Sequence, residues 1–318
     1  MPLKGAFFLV FVGLLLCAAP GLAQESVVES HAAEGAKAFR SGDYATAEKA
    51  FGAAVKEAER IGPESELLAT NLNNLGALYK IQGKLKQAIP VFKRAIAIRE
   101  KVLGPNHHQV ANSLNNLAVV YKSQGDLKAA VPLYERALAI QEKVLGGDHP
   151  GVATRLNNLA TIYLILGQFD KAEPMFLRSL AIYEKKLGPD HTGVAGSLNN
   201  LARLRRAQGR YADAEPLLKR ALAIFERAHG PNHPNAGKNI GALADVYSLQ
   251  GKNDEAEPLF RKSLEILETA FGREDANLVP VLEAYAKHLR KTGRADDAES
   301  FEARVKAIRA KAGGGESK

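Results

Sequence analysis

A string of four residues, Leu-Asn-Asn-Leu, recurs along this chain at a fixed spacing of 42 residues. It begins at Leu72, Leu114, Leu156 and Leu198. One set of glycines keeps the same spacing, namely Gly83, Gly125, Gly167, Gly209, Gly251 and Gly293. A fixed period of this length is typical of repeat arrays, in which each unit packs only against its neighbours. The sequence therefore predicts one extended array, although a length of 318 residues would otherwise suggest two compact domains.

Each repeat unit has the pattern of two helices separated by a glycine. In one unit, apolar residues recur at helical spacing over 110–124, and Gly125 interrupts the pattern. A second apolar stripe runs from about Leu127 to Leu145 and stops at Gly146. Each unit is therefore expected to be a helical hairpin whose apolar surface only its neighbours can bury.

A histidine stands in four of the loops between units, directly before the next first helix. The loops read Gly-Pro-Asn-His, Gly-Gly-Asp-His or Gly-Pro-Asp-His, and their histidines are His107, His149, His191 and His233. Zinc needs its nitrogen ligands at about 2.0–2.1 Å, whereas packed helices lie roughly 10 Å apart. We therefore expect these histidines to cap or pack against helices, and we expect no metal site.

The repeated residues resemble a known family. An alanine recurs at the close helix crossing (Ala88, Ala130, Ala172, Ala214, Ala256), and each unit closes on Arg/Lys-Ala-Leu/Ile or a close variant. Together with the glycine and tyrosine positions, these residues resemble tetratricopeptide repeats (TPRs). The 42-residue length, the Leu-Asn-Asn-Leu-Ala string and the Gly-x-x-His-Pro loops resemble the kinesin-light-chain-like subgroup. The resemblance implies an all-α, right-handed superhelical solenoid of about seven TPR hairpins.

The predicted solenoid covers residues 31–311. Its hairpins are expected at about 31–60, 69–103, 111–145, 153–187, 195–229, 237–271 and 279–311. Residues 24–30 are expected to be a short linker before the first hairpin, and residues 312–318 a flexible tail. The last hairpin is rich in Lys, Arg and Glu, as a capping repeat with a solvated outer face should be.

The first 23 residues have the pattern of a secretory signal peptide. Lys4 precedes an apolar run over 6–19, and Gly21-Leu22-Ala23 places small residues at the two positions that a signal peptidase reads. Cleavage after Ala23 would give a periplasmic or secreted protein that starts at Gln24. The alternative is a lipoprotein anchored at Cys17, although Leu16 fits a lipidation motif poorly. We expect an association with membranes only if Cys17 is lipidated.

The resemblance also implies where a ligand would lie. In this family the first helix of each hairpin lines a concave groove that holds extended peptides or partner helices. One asparagine of each Leu-Asn-Asn-Leu string would form a ladder there, each amide able to donate to and accept from a ligand backbone (Asn73, Asn115, Asn157, Asn199). The alternative is that these amides bond to the neighbouring repeat. The sixth hairpin has Gly241 and Ala242 instead of the pair, so the ladder is expected to stop there.

Positive charge is concentrated on the same helices. The whole chain has 43 Lys and Arg against 35 Asp and Glu, which gives a net charge of only +8. On the first helices of units two to six, however, the basic residues are Lys80, Lys122, Arg155, Arg203, Arg205, Arg206 and Lys238. The only acid on those helices is Asp245. Lys80, Lys122, Arg203 and Arg206 are therefore predicted to attract an acidic partner.

No catalytic or cofactor-binding motif stands out in the sequence. We find no P-loop, no Gly-x-Gly-x-x-Gly after a strand, no His-Glu-x-x-His and no Gly-x-Ser-x-Gly. We therefore expect a protein that is not an enzyme and has no cofactor. The leading hypothesis is a scaffold or adaptor whose groove binds an acidic peptide or helix of another protein. The alternatives are an envelope assembly or tethering component that uses its convex face or ends and, less favoured, a binder of anionic glycan or nucleic acid.

Overall fold

A computed structural model describes residues 20–313, which form fourteen α-helices arranged as seven consecutive hairpins. The helices are α1 Pro20–Arg40, α2 Tyr44–Ile61, α3 Glu66–Ile81, α4 Leu85–Leu103, α5 His108–Ser123, α6 Leu127–Leu145, α7 Pro150–Ile165, α8 Phe169–Leu187, α9 Thr192–Ala207, α10 Tyr211–His229, α11 Pro234–Gln250, α12 Asn253–Phe271, α13 Val279–Lys291 and α14 Ala295–Gly313. A short 3₁₀-helix, Ala276–Leu278, precedes α13. Within the described range there is no strand, and the prediction of an all-α solenoid of seven hairpins is confirmed.

Glycine and histidine define the helix boundaries. A glycine with positive φ ends or follows a helix in both turns of the repeat, as Gly125 (φ 80°) and Gly146 (φ 81°) illustrate. His149 begins the next helix, because its imidazole Nδ1 accepts a hydrogen bond of 3.0 Å from the backbone N–H of Gly151. His107, His191 and His233 make the same bond, so the expected capping role of the four loop histidines is confirmed.

The caps also explain where the first helices begin. The sequence pattern placed five of them at 69, 111, 153, 195 and 237, each three residues later than the observed starts at 66, 108, 150, 192 and 234. The apolar stripe begins only in the second turn, whereas the cap admits a polar first turn immediately after it. The ends of the second helices at 103, 145, 187, 229 and 271 agree with the prediction.

The core consists of small and large side chains that alternate along each second helix. The five recurring alanines, from Ala88 to Ala256, are fully buried at the crossing of the two helices of a hairpin. One turn later the chain places a large ring, as in Phe92, Tyr134 and Phe176, which are also buried. Each hairpin thus buries its apolar face partly against itself and partly against the next hairpin.

Contacts between hairpins place the first helices on the inner side of the array. Each second helix packs against the first helix of the following hairpin, as α4 does on α5 and α6 on α7. Consecutive first helices also contact one another directly, as α3 and α5, α7 and α9, and α11 and α13 show. Direct contact between the first helices of consecutive hairpins is expected when these helices line the concave side of a curved solenoid.

The second helices are joined on the outer side by a series of ion pairs, here called the outer ladder. An arginine of one hairpin meets a glutamate of the preceding hairpin in Arg136–Glu100 (2.5 Å), Arg178–Glu142 (2.5 Å), Arg220–Glu184 (2.7 Å) and Arg304–Glu268 (2.5 Å). Several of these arginines also donate to a loop carbonyl, as Arg178 does to Gly147 at 2.9 Å. Most acids of the second helices are therefore neutralised within the array.

Both ends of the array differ from the prediction. Residues 24–30, expected to be a linker, lie inside α1, because Val28 is fully buried and packs with Ala54, Ala58 and Leu68. At the other end, 312 and 313 belong to α14, and the rest of the predicted flexible tail lies outside the described residues. The apolar run and Cys17 of the predicted signal peptide also lie outside them, while α1 includes its last four residues, 20–23.

Candidate functional site

The eight predicted site residues lie on the first helices of hairpins two to five. Asn73 and Lys80 lie on α3, Asn115 and Lys122 on α5, and Asn157 on α7. The other three, Asn199, Arg203 and Arg206, lie on α9. The four asparagines are half-buried, whereas Lys122, Arg203 and Arg206 are exposed. The structure therefore places all eight on helices of the inner side.

The asparagines bond to one another across the hairpin junctions. The Asn116 Nδ2 donates to the Asn73 Oδ1 at 3.2 Å, and the Asn158 Nδ2 donates to the Asn115 Oδ1 at 3.1 Å. The second asparagine of one string thus binds the first asparagine of the preceding string. Each such bond pairs one amide N–H with one amide oxygen and joins consecutive first helices in a fixed register.

The ladder changes its partners further along the array. Asn157 donates through Nδ2 to the Ser197 Oγ at 3.0 Å, and Asn199 accepts from the Asn239 Nδ2 at 2.5 Å. The asparagine pair has no counterpart at Gly241 and Ala242, and the last of these contacts is made by the buried Asn239. Asn239 lies two residues earlier on α11, and its longer side chain reaches across where a glycine cannot.

These bonds limit what the ladder can offer a ligand. The oxygens of Asn73 and Asn115 are occupied by the neighbouring hairpin. For their Nδ2 groups, the described part of the chain provides no hydrogen-bond acceptor, so these two groups can donate to a bound backbone. The Asn157 Oδ1 has no partner within residues 20–313, but it is buried and lies out of a ligand's reach.

A positively charged patch lies beside the ladder. Lys122 and Arg203 are exposed to solvent, yet desolvation lowers the pKa of both side chains. The positive charge of Arg203 lowers the pKa of Lys122 further, and that of Arg206 lowers the pKa of Arg203 further. A group that is accessible and still desolvated lies on a concave surface, where protein surrounds it on several sides. No ion pair of Lys122 or Arg203 occurs within residues 20–313, so both charges face solvent uncompensated.

The consecutive arginines of α9 do not form one cluster. Arg205 points to the preceding hairpin and pairs with Glu173 at 2.6 Å, and it takes the place that a tyrosine holds in four other hairpins. Arg210 pairs with Asp213 in the adjacent turn. Arg206 remains on the inner side with Arg203 because residues three apart share a helix face. It forms an ion pair with Asp245 of α11.

Two inner-side residues were not among the predicted site residues. Arg155 donates from Nη2 to the Asn112 Oδ1 at 2.6 Å, and its buried Nε has no partner in the described range. Asp245 is the acid that neutralises Arg206. The sequence did contain a signal for the contact between Arg206 and Asp245. These two residues are separated by nearly the same number of residues as Asn199 and Asn239, which are hydrogen-bonded.

Residues 20–313 contain neither a metal-binding cluster nor a membrane-spanning helix. No three or more His, Cys, Asp or Glu side chains come together in a way that could hold a metal ion. No helix in this range combines the length and apolar character that crossing a membrane requires.

The fold and its repeated contacts define a helical-repeat solenoid with a polar inner face. A family model for the tetratricopeptide repeat matches this chain over most of its length, and the chain belongs to that family. The matched segments overlap and cover residues 35–101, 81–143, 109–185, 156–226, 193–269 and 238–311. The family resemblance seen in the sequence is thereby confirmed. No curated relative matches the chain.

Solved structures with the same fold include kinesin light chain-like proteins. A Podosopora anserina protein described as kinesin light chain with nearly identical TPR-like repeats is 28% identical, with a TM-score of 0.55, over 63% of this chain and 95% of its own. The apo form of RapI is 16% identical, with a TM-score of 0.71, over 89% and 98% of the two chains. A Rap protein complexed with Competence and Sporulation Factor is 17% identical, with a TM-score of 0.55, over 92% and 99%. The last two similarities concern the fold alone.

Proposed function

We propose that this protein is a non-enzymatic scaffold or adaptor that binds an acidic extended segment or helix of another protein along its concave inner face. The TPR fold is typical of protein–protein interaction scaffolds, and this chain belongs to the TPR family. The observation that carries the finer proposal is the uncompensated positive charge of Lys122 and Arg203 on a concave surface. Such charges favour anionic partners and raise the rate of encounter.

The inner face also offers donors for a ligand main chain. Asn73 and Asn115, which carry these Nδ2 groups, lie on α3 and α5, and Lys122 of the charged patch lies about two helical turns beyond Asn115 on α5. Backbone contacts of this kind add affinity without requiring one ligand sequence. The Rap protein complexed with Competence and Sporulation Factor supports the proposal by analogy, because a protein of this fold binds a second molecule.

We also propose that the mature protein is exported, with cleavage after Ala23. Cleavage at that position would remove four residues from the start of α1 and would keep Val28 in its buried site. Cell fractionation and N-terminal sequencing test this proposal. A mature chain that starts at Gln24 in the periplasm or the medium supports it. A lipid-modified chain that starts at Cys17, or a cytoplasmic chain that retains residues 1–23, contradicts it.

The groove is tested by affinity capture from the envelope fraction of the parent organism. The test variant carries Lys122→Ala and Arg203→Ala, because the ladder asparagines also join hairpins and their loss would confuse binding with stacking. The matched control carries Lys128→Ala and Arg210→Ala, which remove the same two charges from exposed positions outside α5 and α9. We expect a partner that the wild type and the control capture, that the test variant loses, and that moderate salt releases.

The opposite result has a defined meaning. A partner that all three proteins capture equally would refute binding through the charged patch. The interaction would then belong to the convex face or to the terminal hairpins, as in an assembly or tethering component.

A further inference from the structure

A row of charged side chains crosses four first helices on the inner side. This inner charge row consists of Lys122, Arg203, Arg206, Asp245 and Lys287, on α5, α9, α11 and α13. Its members are close enough to act on one another, because Arg203 lowers the pKa of Lys122, Arg206 lowers the pKa of Arg203, and Lys287 acts on Asp245. Asp245 is the one acid in the row.

Asp245 stands at a position where no other hairpin has an acid. At steps of 42 residues, the equivalent residues are Ala77, Val119, Thr161, Arg203 and Lys287. The Asp245 side chain is only 13% exposed, whereas its partner Arg206 is 45% exposed. Burial raises the pKa of Asp245, which means that its charged form is held there against a desolvation cost.

The ion pair divides the inner charge row into two parts. Lys122 and Arg203 have no acid partner among the described residues, so they form an open subsite that can bind an anion. Arg206 is occupied by Asp245, and Lys287 faces the same carboxylate. A ligand carboxylate that approached Arg206 would have to displace Asp245 or lie beside it, and two carboxylates at one guanidinium repel each other.

We propose that Asp245 is a specificity-determining residue that acts as an internal competitor for acidic ligands. It confines the acidic part of a ligand to the segment of the groove at Lys122 and Arg203, and it excludes acidic residues from Arg206. This inference rests on the proposed groove function. A simpler role for Asp245, that of joining α9 to α11, would leave ligand affinity unchanged when the acid is neutralised.

The test uses a fluorescently labelled octaglutamate peptide and the full mature chain, with binding followed by fluorescence anisotropy at low salt. Asp245→Asn removes the charge with little change of shape, and Asp245→Thr copies Thr161 of another hairpin, which provides a second variant if the first folds poorly. The matched control is Asp213→Asn, because Asp213 is also paired to an arginine, Arg210, but lies on α10 with its side chain 49% exposed. Arg203→Ala tests the groove itself.

We expect both Asp245 variants to bind octaglutamate roughly five- to twentyfold more tightly than the wild type. The gain should shrink as salt rises, and Asp213→Asn should equal the wild type within about twofold, because exposed pairs contribute little. Binding by the wild type that weakens in Arg203→Ala but does not change in the Asp245 variants would overturn this inference and leave the proposed function intact. Octaglutamate binding that is absent, or that Arg203→Ala does not alter, would contradict the acidic-groove proposal, and the inference would fall with it.

Discussion

An ion pair within the second hairpin, whose arginine also binds the third hairpin, provides the sharpest test of how the array is held together. Arg99 of α4 is 5% exposed, and its guanidinium binds the Glu66 carboxylate at 3.0 Å, the Thr70 hydroxyl at 2.9 Å and the Ser113 hydroxyl at 2.8 Å. It therefore contacts α3 of its own hairpin and α5 of the next. Equivalent positions in later hairpins hold Gln141, Tyr183, Phe225 and Leu267, so a leucine can fill this site without a charge.

The expected cost of Arg99→Leu follows from what it leaves behind. Removing one partner of a fully buried pair costs about 3–5 kcal/mol. The Glu66 side chain is 28% exposed, so water can solvate part of its charge. We therefore expect a loss of about 2–3 kcal/mol for Arg99→Leu and a similar loss, about 2 kcal/mol, for Glu66→Ala. The double variant removes both charges and should lose less than the sum by about 2 kcal/mol.

The assay is urea denaturation followed by far-ultraviolet circular dichroism, fitted with a nearest-neighbour description because repeat arrays need not unfold in two states. Arg94→Leu is the matched control, because Arg94 lies on the same helix and pairs with Glu59 while both side chains stay more than a third exposed. Its loss should not exceed about 1 kcal/mol. A double variant that loses the full sum of the single losses would refute a coupled Arg99–Glu66 pair.

Three further predictions concern stability. His191→Ala should cost about 1 kcal/mol in urea titrations, whereas His191→Asn keeps a capping acceptor and should be nearly neutral; equal losses in both would contradict the cap. Hydrogen bonds from Arg261 and Arg294 lower the pKa of Glu257 from 4.5 to about 2, so its carboxylate stabilises the fold above pH 4.5 and this contribution disappears as the pH falls toward 2. In an acid titration, the Glu257→Gln variant should lose less stability than the wild type as the pH falls. Identical acid profiles for the two proteins would refute this role of Glu257. Burial lowers the pKa of His288 below its usual 6.5, so protonation favours the unfolded chain and stability falls as the pH drops through that value. His288→Val, which copies Val246 of the preceding hairpin, should gain more stability relative to wild type at about pH 5 than at about pH 8, and a constant difference would contradict the prediction.

The repeat period allowed most of the fold to be predicted from the sequence. Glycines at positive φ and histidines that cap are local features, and local features recur visibly every 42 residues. The predicted second helix from Leu127 to Leu145 is therefore observed with the same bounds. Residues 24–30 were predicted to be a linker but lie inside α1. The sequence did not reveal this because the first hairpin has no preceding unit with which to align its start. In addition, Val28 packs against residues that are distant in sequence.

The site was predictable as a surface but not as a set of contacts. An asparagine on an inner helix can bind a ligand or a neighbouring hairpin, and only the curvature of the array brings Asn116 to Asn73. The separation of the arginines, in contrast, follows from helix geometry. Arg203 and Arg206 are three residues apart and share a face, whereas Arg205 lies on another face and reaches Glu173.

The outer ladder makes the hairpins interchangeable, which bears on how such an array can be lengthened or shortened. Each of its arginines binds a glutamate 36 residues earlier, as Arg178 binds Glu142, so this ion pair has the same spacing at each of the four junctions described above. An in-frame deletion of residues 126–167 would bring Arg178 opposite Glu100, at the spacing that Arg136 now occupies, and Asn200 opposite Asn115. Unequal recombination between the coding sequences of two repeats could therefore remove or duplicate a whole unit and still yield a chain in which this ion pair forms at the new junction.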